Sequence, residues 1–231
     1  MNNEVKYEGE WDTQTNERQG NGVQVWMDGS MYDGTFVKGK PHGKGRLIHA
    51  DGNVYEGAFK SGKASGLGRY THVDGASYYG MWKEDKQHGK GKETWPDGAT
   101  YEGQYQNGMK EGRGLFTWAD GGVYDGTFSK NEIEGRGAYQ WKDGRRYDGD
   151  WKDNKMHGEG VFTWPDGRKY VGSYVFDQKE GEGTFYWPNG KIYKGEWKEG
   201  VQHGKGKYTN SKGNTREGEW ENGKRVRWLE A

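Results

Sequence analysis

Along most of the chain, rings and glycines alternate with charged residues. Tyr101-Glu-Gly-Gln-Tyr is typical, with Tyr, Gly and Tyr at every other place and polar residues between. A period of two predicts a strand with one buried and one wet face. The pattern stops at a Gly, Asn or Asp and resumes as Gly-x-Gly followed by more rings, as in Glu111-Gly-Arg-Gly-Leu-Phe-Thr-Trp. An Asp-Gly pair then closes the segment, as at Asp97-Gly98 and Asp166-Gly167. Two alternating runs joined by one turn and closed by another predict a β-hairpin.

This segment repeats. Tyr-x-Gly begins at Tyr7, Tyr32, Tyr55, Tyr78, Tyr101, Tyr124, Tyr147, Tyr170 and Tyr193, and a tenth copy has Arg216 in place of Tyr. The first step is 25 residues and the others are 23. Counting each copy from its Tyr, position 3 is Gly and position 5 is a ring in all ten. Position 8 is Gly, Asn or Asp once the first copy's insertion, Asp12 to Gln19, is set aside. These residues tolerate the positive φ that tight hairpins demand. Gly recurs at positions 12 and 14, and position 18 is Trp in six copies. Positions 1, 3 and 5 should share a face with 12, 14, 16 and 18 of the next strand. Each Gly there makes room for a ring from the paired strand. Even positions such as Glu8, Lys83 and Glu102 belong in water. The expected fold is all-β, an elongated twisted array of consecutive antiparallel β-hairpins with strands of roughly five residues. At about 10 Å per hairpin the array would be on the order of 100 Å long. It forms a single repeat domain over 7–223, with a lead-in at 1–6 and a cap at 224–231.

Composition fits a thin core made of rings. Leu, Ile, Val and Phe together supply only 26 of 231 residues, while Phe, Trp and Tyr supply 35. There is no Cys, which removes disulfides and thiolate zinc sites. The net charge is zero, so nucleic acid is not an expected partner. The first residues lack the basic and apolar regions of a signal peptide, and no apolar run could span a membrane. A cytoplasmic, non-secreted protein is expected.

Residues 101–121, and again 193–213 with His203-Gly-Lys-Gly, resemble a MORN repeat (membrane occupation and recognition nexus). The resemblance covers nearly the whole chain in ten copies. It implies a hairpin array with a shallow aromatic groove. Proteins it resembles include radial-spoke head components of cilia, cytoskeletal organisers, adaptors for myosin tails and junctophilins. Arrays preceding phosphatidylinositol-phosphate kinases imply a lipid-targeting alternative, and others precede methyltransferase domains, but no such domain occurs here. A wall- or glycan-binding repeat is a further class, against which the missing secretion signal counts.

Four kinds of candidate chemistry remain. His42, His88, His157 and His203 all hold position 11, about 20 Å or more apart on the hairpin spacing, too far to share a metal. They are expected to support the hairpin bend, and no metal or cofactor is expected. The Gly-x-Gly pairs have no following helix and recur in every copy, so they are structural, and no nucleophile motif occurs. No enzyme is expected. Two basic stretches, Lys38, Lys40, Lys44 and Arg46, and Arg216, Lys224, Arg225 and Arg227, are candidate contacts for anionic lipid or an acidic partner. The second of them belongs to the positive end of a gradient from −4 over residues 1–31 to +4 over 191–231. Finally, no helix is available to cover the ring face. Rings at positions 16 and 18 are expected to stay exposed as a groove for a partner segment, chiefly Phe116, Trp118, Tyr139, Trp141, Phe162 and Trp164. A homodimer would use the same surface. The reading is a non-catalytic scaffold binding a cytoskeletal, ciliary or motor component, with a phospholipid-binding module as the alternative.

Overall fold

The computed structural model describes residues 6–230. Five residues of the expected lead-in and Ala231 of the expected cap lie outside the described residues. Twenty strands follow one another, from Lys6–Asp12 and Glu17–Val25 to Thr215–Glu221 and Lys224–Trp228, with no helix among the described residues. They divide between Ala119 and Asp120 into two compact units of ten strands each. Within each unit, every strand pairs antiparallel with its neighbours in the chain. Apart from the five-residue last strand, the strands alternate between seven and nine residues, longer than the expected five.

In every hairpin after the first, both central residues of the turn have positive φ. In the seventh copy these are Asp153 (φ 50°) and Asn154 (φ 63°). That geometry matches the right-handed strand twist, and it explains why position 8 is Gly, Asn or Asp. The same turn stitches neighbouring copies. The Asn154 backbone N–H donates to the Ile133 carbonyl at 3.1 Å, and Asn154 Oδ1 accepts from the Ile133 N–H at 2.7 Å. Asp85 and Asp177 repeat both bonds towards Ala64 and Met156. Position 11 adds a third stitch. Glu134 and Glu180 accept from the Asp153 and Glu199 N–H groups of the following turn, and His42 Nδ1 accepts from Ser61. The position-11 side chain therefore supports the neighbouring bend in these three copies, His42 among them, whereas the buried Nδ1 atoms of His88 and His157 make no such bond. The Asp-Gly turns hold their own backbone too, for Asp97, Asp143 and Asp166 each accept the N–H two residues on. These carboxylates are occupied as turn caps.

The core is a ladder of rings lying on glycine backbone. Tyr32, Tyr78, Tyr101, Tyr124, Tyr147, Tyr170 and Tyr193 are fully buried. Each tyrosine of the first nine copies donates its hydroxyl to the carbonyl of position 4, from Tyr7 to Glu10 at 2.8 Å through Tyr193 to Glu196 at 3.0 Å. This pins the ring flat over position 14. A Cβ added at Gly160 would sit 2.3 Å from Tyr147 Cε2, and at Gly114 2.4 Å from Tyr101 Cε2. The position-5 rings stand edge-on between successive tyrosines. Trp151 lies 5.5 Å from Tyr124 and 5.2 Å from Tyr147, both T-shaped. Its indole N–H donates to the Gly137 carbonyl at 3.0 Å. T-shaped packing satisfies the ring quadrupoles, and the polar tips find backbone partners.

Two details differ from the alternation expected. Position 12 does not face the rings. Gly158 has φ 61°, and a Cβ there would meet Asp150 Oδ2 at 2.8 Å on the opposite face. It forms part of a bulge in which three residues oppose one, since Gly149 pairs with Gly160 but Trp151 pairs with Met156. The bulge is the second detail, and it leaves position 10 on the ring face beside position 5, where Met156 pairs with Trp151.

Candidate functional site

The rings at positions 16 and 18 form a second row beside the buried ladder. In the second unit the row is continuous. Tyr139 and Trp141 are 4.5 Å apart, Trp141 and Phe162 5.3 Å, Phe162 and Trp164 4.4 Å, Trp164 and Phe185 5.6 Å, and Phe185 and Trp187 4.6 Å. The row is thus longer than the sequence reading placed it, taking in Phe185 and Trp187. In the first unit, Phe116 lies 4.4 Å from Trp118 and stacks on Trp95 at 5.4 Å. Further back that row contains Glu93 at position 16, and Leu47, His49, Tyr70 and His72 hold the corresponding places.

Exposure divides the two positions. Trp118, Trp141, Trp164 and Trp187 are half-buried, as are Phe116 and Tyr139. Phe162 corrects the expectation of an exposed ring, since it is only 6% exposed, and Phe185 is 8% exposed. Position 16 sits within the strand, between two tyrosines of the ladder, as Phe162 pairs with both Tyr147 and Tyr170. Position 18 lies past the strand end. In the seventh and eighth copies the tryptophan is therefore the more accessible ring of each pair.

Charge borders the row. Arg145 lies 5.3 Å over Trp141 and Arg168 5.2 Å over Trp164, and each is held by the turn carboxylate two residues before it, Asp143 and Asp166, at 2.7 Å. Those bonds, with the backbone N–H of Arg168, hold the Asp166 carboxyl below its usual range. On the row itself, two position-10 lysines point among rings. Lys110 lies 5.0 Å from Trp95 and 5.1 Å from Tyr101 and pairs with Glu93 at 3.0 Å. Lys179 lies 5.1 to 5.7 Å from Trp164, Tyr170, Phe185 and Trp197. Burial pushes the Lys179 amine below its ordinary pKa, and the Arg168 charge adds to that. Neither lysine was singled out from sequence, because a lysine beside a turn reads as solvated until its ring neighbours are seen.

The two basic stretches do not gather into sites. Arg46 pairs with Glu56 at 3.3 Å and Arg227 with Glu219 at 2.8 Å. Arg216 and Arg225 lie over Trp228 at 4.8 and 4.1 Å. Lys38, Lys40, Lys44 and Lys224 are exposed, with Lys38 at a turn. Among the described residues, no three His, Asp or Glu converge as metal ligands. Nor, among those residues, is any helix long and apolar enough to cross a membrane.

The model of the MORN repeat matches ten times in succession, at residues 7–31, 32–54, 55–77, 78–100, 101–123, 124–145, 147–167, 170–192, 193–215 and 217–226. The chain belongs to the MORN-repeat family. Its twenty strands are the tandem hairpins of ten MORN repeats, the architecture of a repeat scaffold. A comparison with curated proteins found no match. Among solved structures, the chain is similar to the TCP10 domain of Danio rerio CPAP in complex with a peptide of Danio rerio STIL. The identity is 14%, the TM-score 0.56, and the match covers 98% of this chain and 100% of that one. It is also similar to the SAS-4 (dCPAP) TCP domain of Drosophila melanogaster in complex with a proline-rich motif of Ana2. There the identity is 12% and the TM-score 0.42, over 67% of this chain and 84% of that one. At such identities the first likeness is one of fold, and the second carries no weight.

Proposed function

We propose that this MORN-repeat chain is a non-catalytic interaction scaffold that holds a protein segment along its position-18 tryptophans, as part of a cytoskeletal or ciliary assembly. The observation that carries this reading is the unbroken row from Tyr139 to Trp187, with centroids 4.4 to 5.6 Å apart and a half-buried tryptophan in each copy. A contiguous apolar strip bordered by charge is what a partner-binding surface looks like. The Danio rerio TCP10 domain, similar in fold, is in complex with a peptide. The cytoskeletal setting rests on the resemblance to radial-spoke and cytoskeletal MORN proteins. The phospholipid alternative has less support, because four of its eight cations are already held by carboxylates or by Trp228.

The test is affinity capture from a ciliated-cell lysate with the wild type and with Trp141→Ala plus Trp164→Ala. Circular dichroism verifies that the β signal is intact, and flotation on anionic vesicles runs in parallel. The reading expects capture of cytoskeletal or motor proteins that falls at least about tenfold in the variant, equivalent to about 1.4 kcal/mol. Undiminished capture, or salt-sensitive flotation that depends on Lys38 and Lys40, would reverse it.

A further inference from the structure

Position 10 is a slot where the ladder admits a cation onto the ring face, and the copies fill it differently. Ile133 and Met156 occupy it as ordinary apolar fillers. In the second copy it is Pro41, and a recess of about 320 Å³ opens there, lined by Trp26, Tyr32, Leu47 and Phe59. Arg18 fills the slot in the first copy and donates to Gln24 Oε1. Lys110 fills it in the fifth and reaches Glu93 at 3.0 Å. Gln24 and Glu93 are both position-16 residues, so the row itself supplies the acceptor where position 10 carries these cations.

Lys179 breaks that pairing. It has the same surround as Lys110: a position-18 tryptophan, Trp164 in place of Trp95; a position-1 tyrosine, Tyr170 in place of Tyr101; and a position-16 phenylalanine, Phe185 in place of Phe116. The residue corresponding to Glu93 is Phe162, which is buried and carries no charge. Among the described residues, no carboxylate lies within 4.0 Å of the Lys179 amine, and four ring faces replace it. Arg145 and Arg168, which border the row, are neutralised by Asp143 and Asp166. Lys179 is thus a partly desolvated cation set among the rings of the apolar row, beside half-buried Trp164. Burial holds its pKa down, and ring faces alone are a weak substitute for a counter-ion.

We propose that the second unit's ring row binds an extended acidic–apolar peptide, whose carboxylate pairs with Lys179 while its apolar side chains lie on Trp164 and Trp187. The proposal rests on reading the row as a docking surface, and charge complementarity names the occupant. A carboxylate at Lys179 would restore the pair that Glu93 makes with Lys110 in the first unit. The ring row spans three copies, about 20 Å at two strands per copy, which an extended segment of roughly six to eight residues covers.

The test uses the full chain and immobilised eight-residue peptides with Leu, Val and Trp at alternate places and Glu, Gln or Lys at the centre. Three proteins are compared: wild type, Lys179→Met, and Trp164→Ala plus Trp187→Ala. Met156 fills the same slot one copy earlier, so Lys179→Met is compatible with the fold. The wild type is expected to bind Glu peptides about tenfold tighter than Gln peptides and to reject Lys peptides. That preference should vanish in Lys179→Met, while Gln peptides bind as before or better. Equal binding of Glu and Gln peptides by the wild type, or a preference that survives in Lys179→Met, overturns the assignment of Lys179. If binding is still lost in the tryptophan variant, the docking reading stands without it. Binding that ignores both substitutions overturns the docking reading as well. Lys179-dependent flotation on phosphatidylserine vesicles, without any Glu preference, moves the site to lipid and overturns the peptide proposal.

Discussion

Gly160→Ala tests how the core is built. The added Cβ would stand 2.3 Å from Tyr147 Cε2, 2.4 Å from its hydroxyl and 2.5 Å from Cζ. Ordinary contact needs about 1 Å more. Tyr147 has little room to retreat. It is fully buried, it lies between Trp151 at 5.2 Å and Tyr174 at 5.3 Å, and its hydroxyl is tied to the Asp150 carbonyl at 2.9 Å. Overpacking of this kind costs about 1–3 kcal/mol, and losing the hydroxyl bond adds about 1 kcal/mol. Gly160→Ala should therefore destabilise the chain by about 2–4 kcal/mol in urea unfolding followed by near-ultraviolet circular dichroism. The decisive control is the same substitution in a Tyr147→Ala background. With the ring gone, alanine fits a strand better than glycine and should be neutral or stabilising by about 0.5–1 kcal/mol. An equal loss in both backgrounds would refute the claim that the ring imposes the glycine.

Other outcomes follow from the same geometry. Burial raises the phenols of Tyr32, Tyr55, Tyr101 and Tyr124 to about 12. Above pH 10 the unfolded chain loses protons that the folded chain keeps, so stability falls as pH rises, by up to about 1.4 kcal/mol per unit for each such tyrosine. Phenolate absorbance and loss of the near-ultraviolet signal should appear in one transition near pH 11, and tyrosines titrating near pH 10 in an intact fold would contradict this. Asn154→Gly should cost about 1 kcal/mol, because the Ile133 N–H loses its acceptor while the positive φ is kept. Asn154→Ala should cost about 1 kcal/mol more, because alanine resists that φ, and the reverse order in thermal melts would count against the turn assignment. Lys179→Met should raise the melting temperature, since Met156 shows the slot suits methionine and the lysine has no counter-ion within the protein. A lowered melting temperature would mean that the ring faces compensate the charge fully.

The sequence made the repeat legible because its strongest constraints are local. A tyrosine two residues before glycine, and Gly, Asn or Asp at position 8, report ring-on-backbone packing and a positive φ that no distant contact has to supply. The structure places Tyr147 over Gly149 and Gly160 accordingly. What the pattern hid depends on the bulge. Alternation assigns Gly158 to the ring face, and the three-against-one register turns it away. Exposure was misjudged for a related reason. Phe162 and Trp164 are both apolar and two residues apart, but only the first sits inside the ladder between Tyr147 and Tyr170. Strand ends, which separate the less from the more accessible ring, are set by pairing and not by composition. The basic stretches read as clusters in sequence because they are close along the chain, whereas cross-strand carboxylates such as Glu56 and Glu219 are invisible there.

The central claim is that partners are read by the position-18 tryptophans. Side-chain photochemical footprinting of the full chain, with and without a captured partner, tests it most directly. The account predicts protection of Trp141, Trp164 and Trp187, with Leu67, Tyr79 and Met81 on the opposite face unchanged. Protection of that opposite face, or of Lys38 to Arg46, with the tryptophans labelled as freely as before, would contradict it.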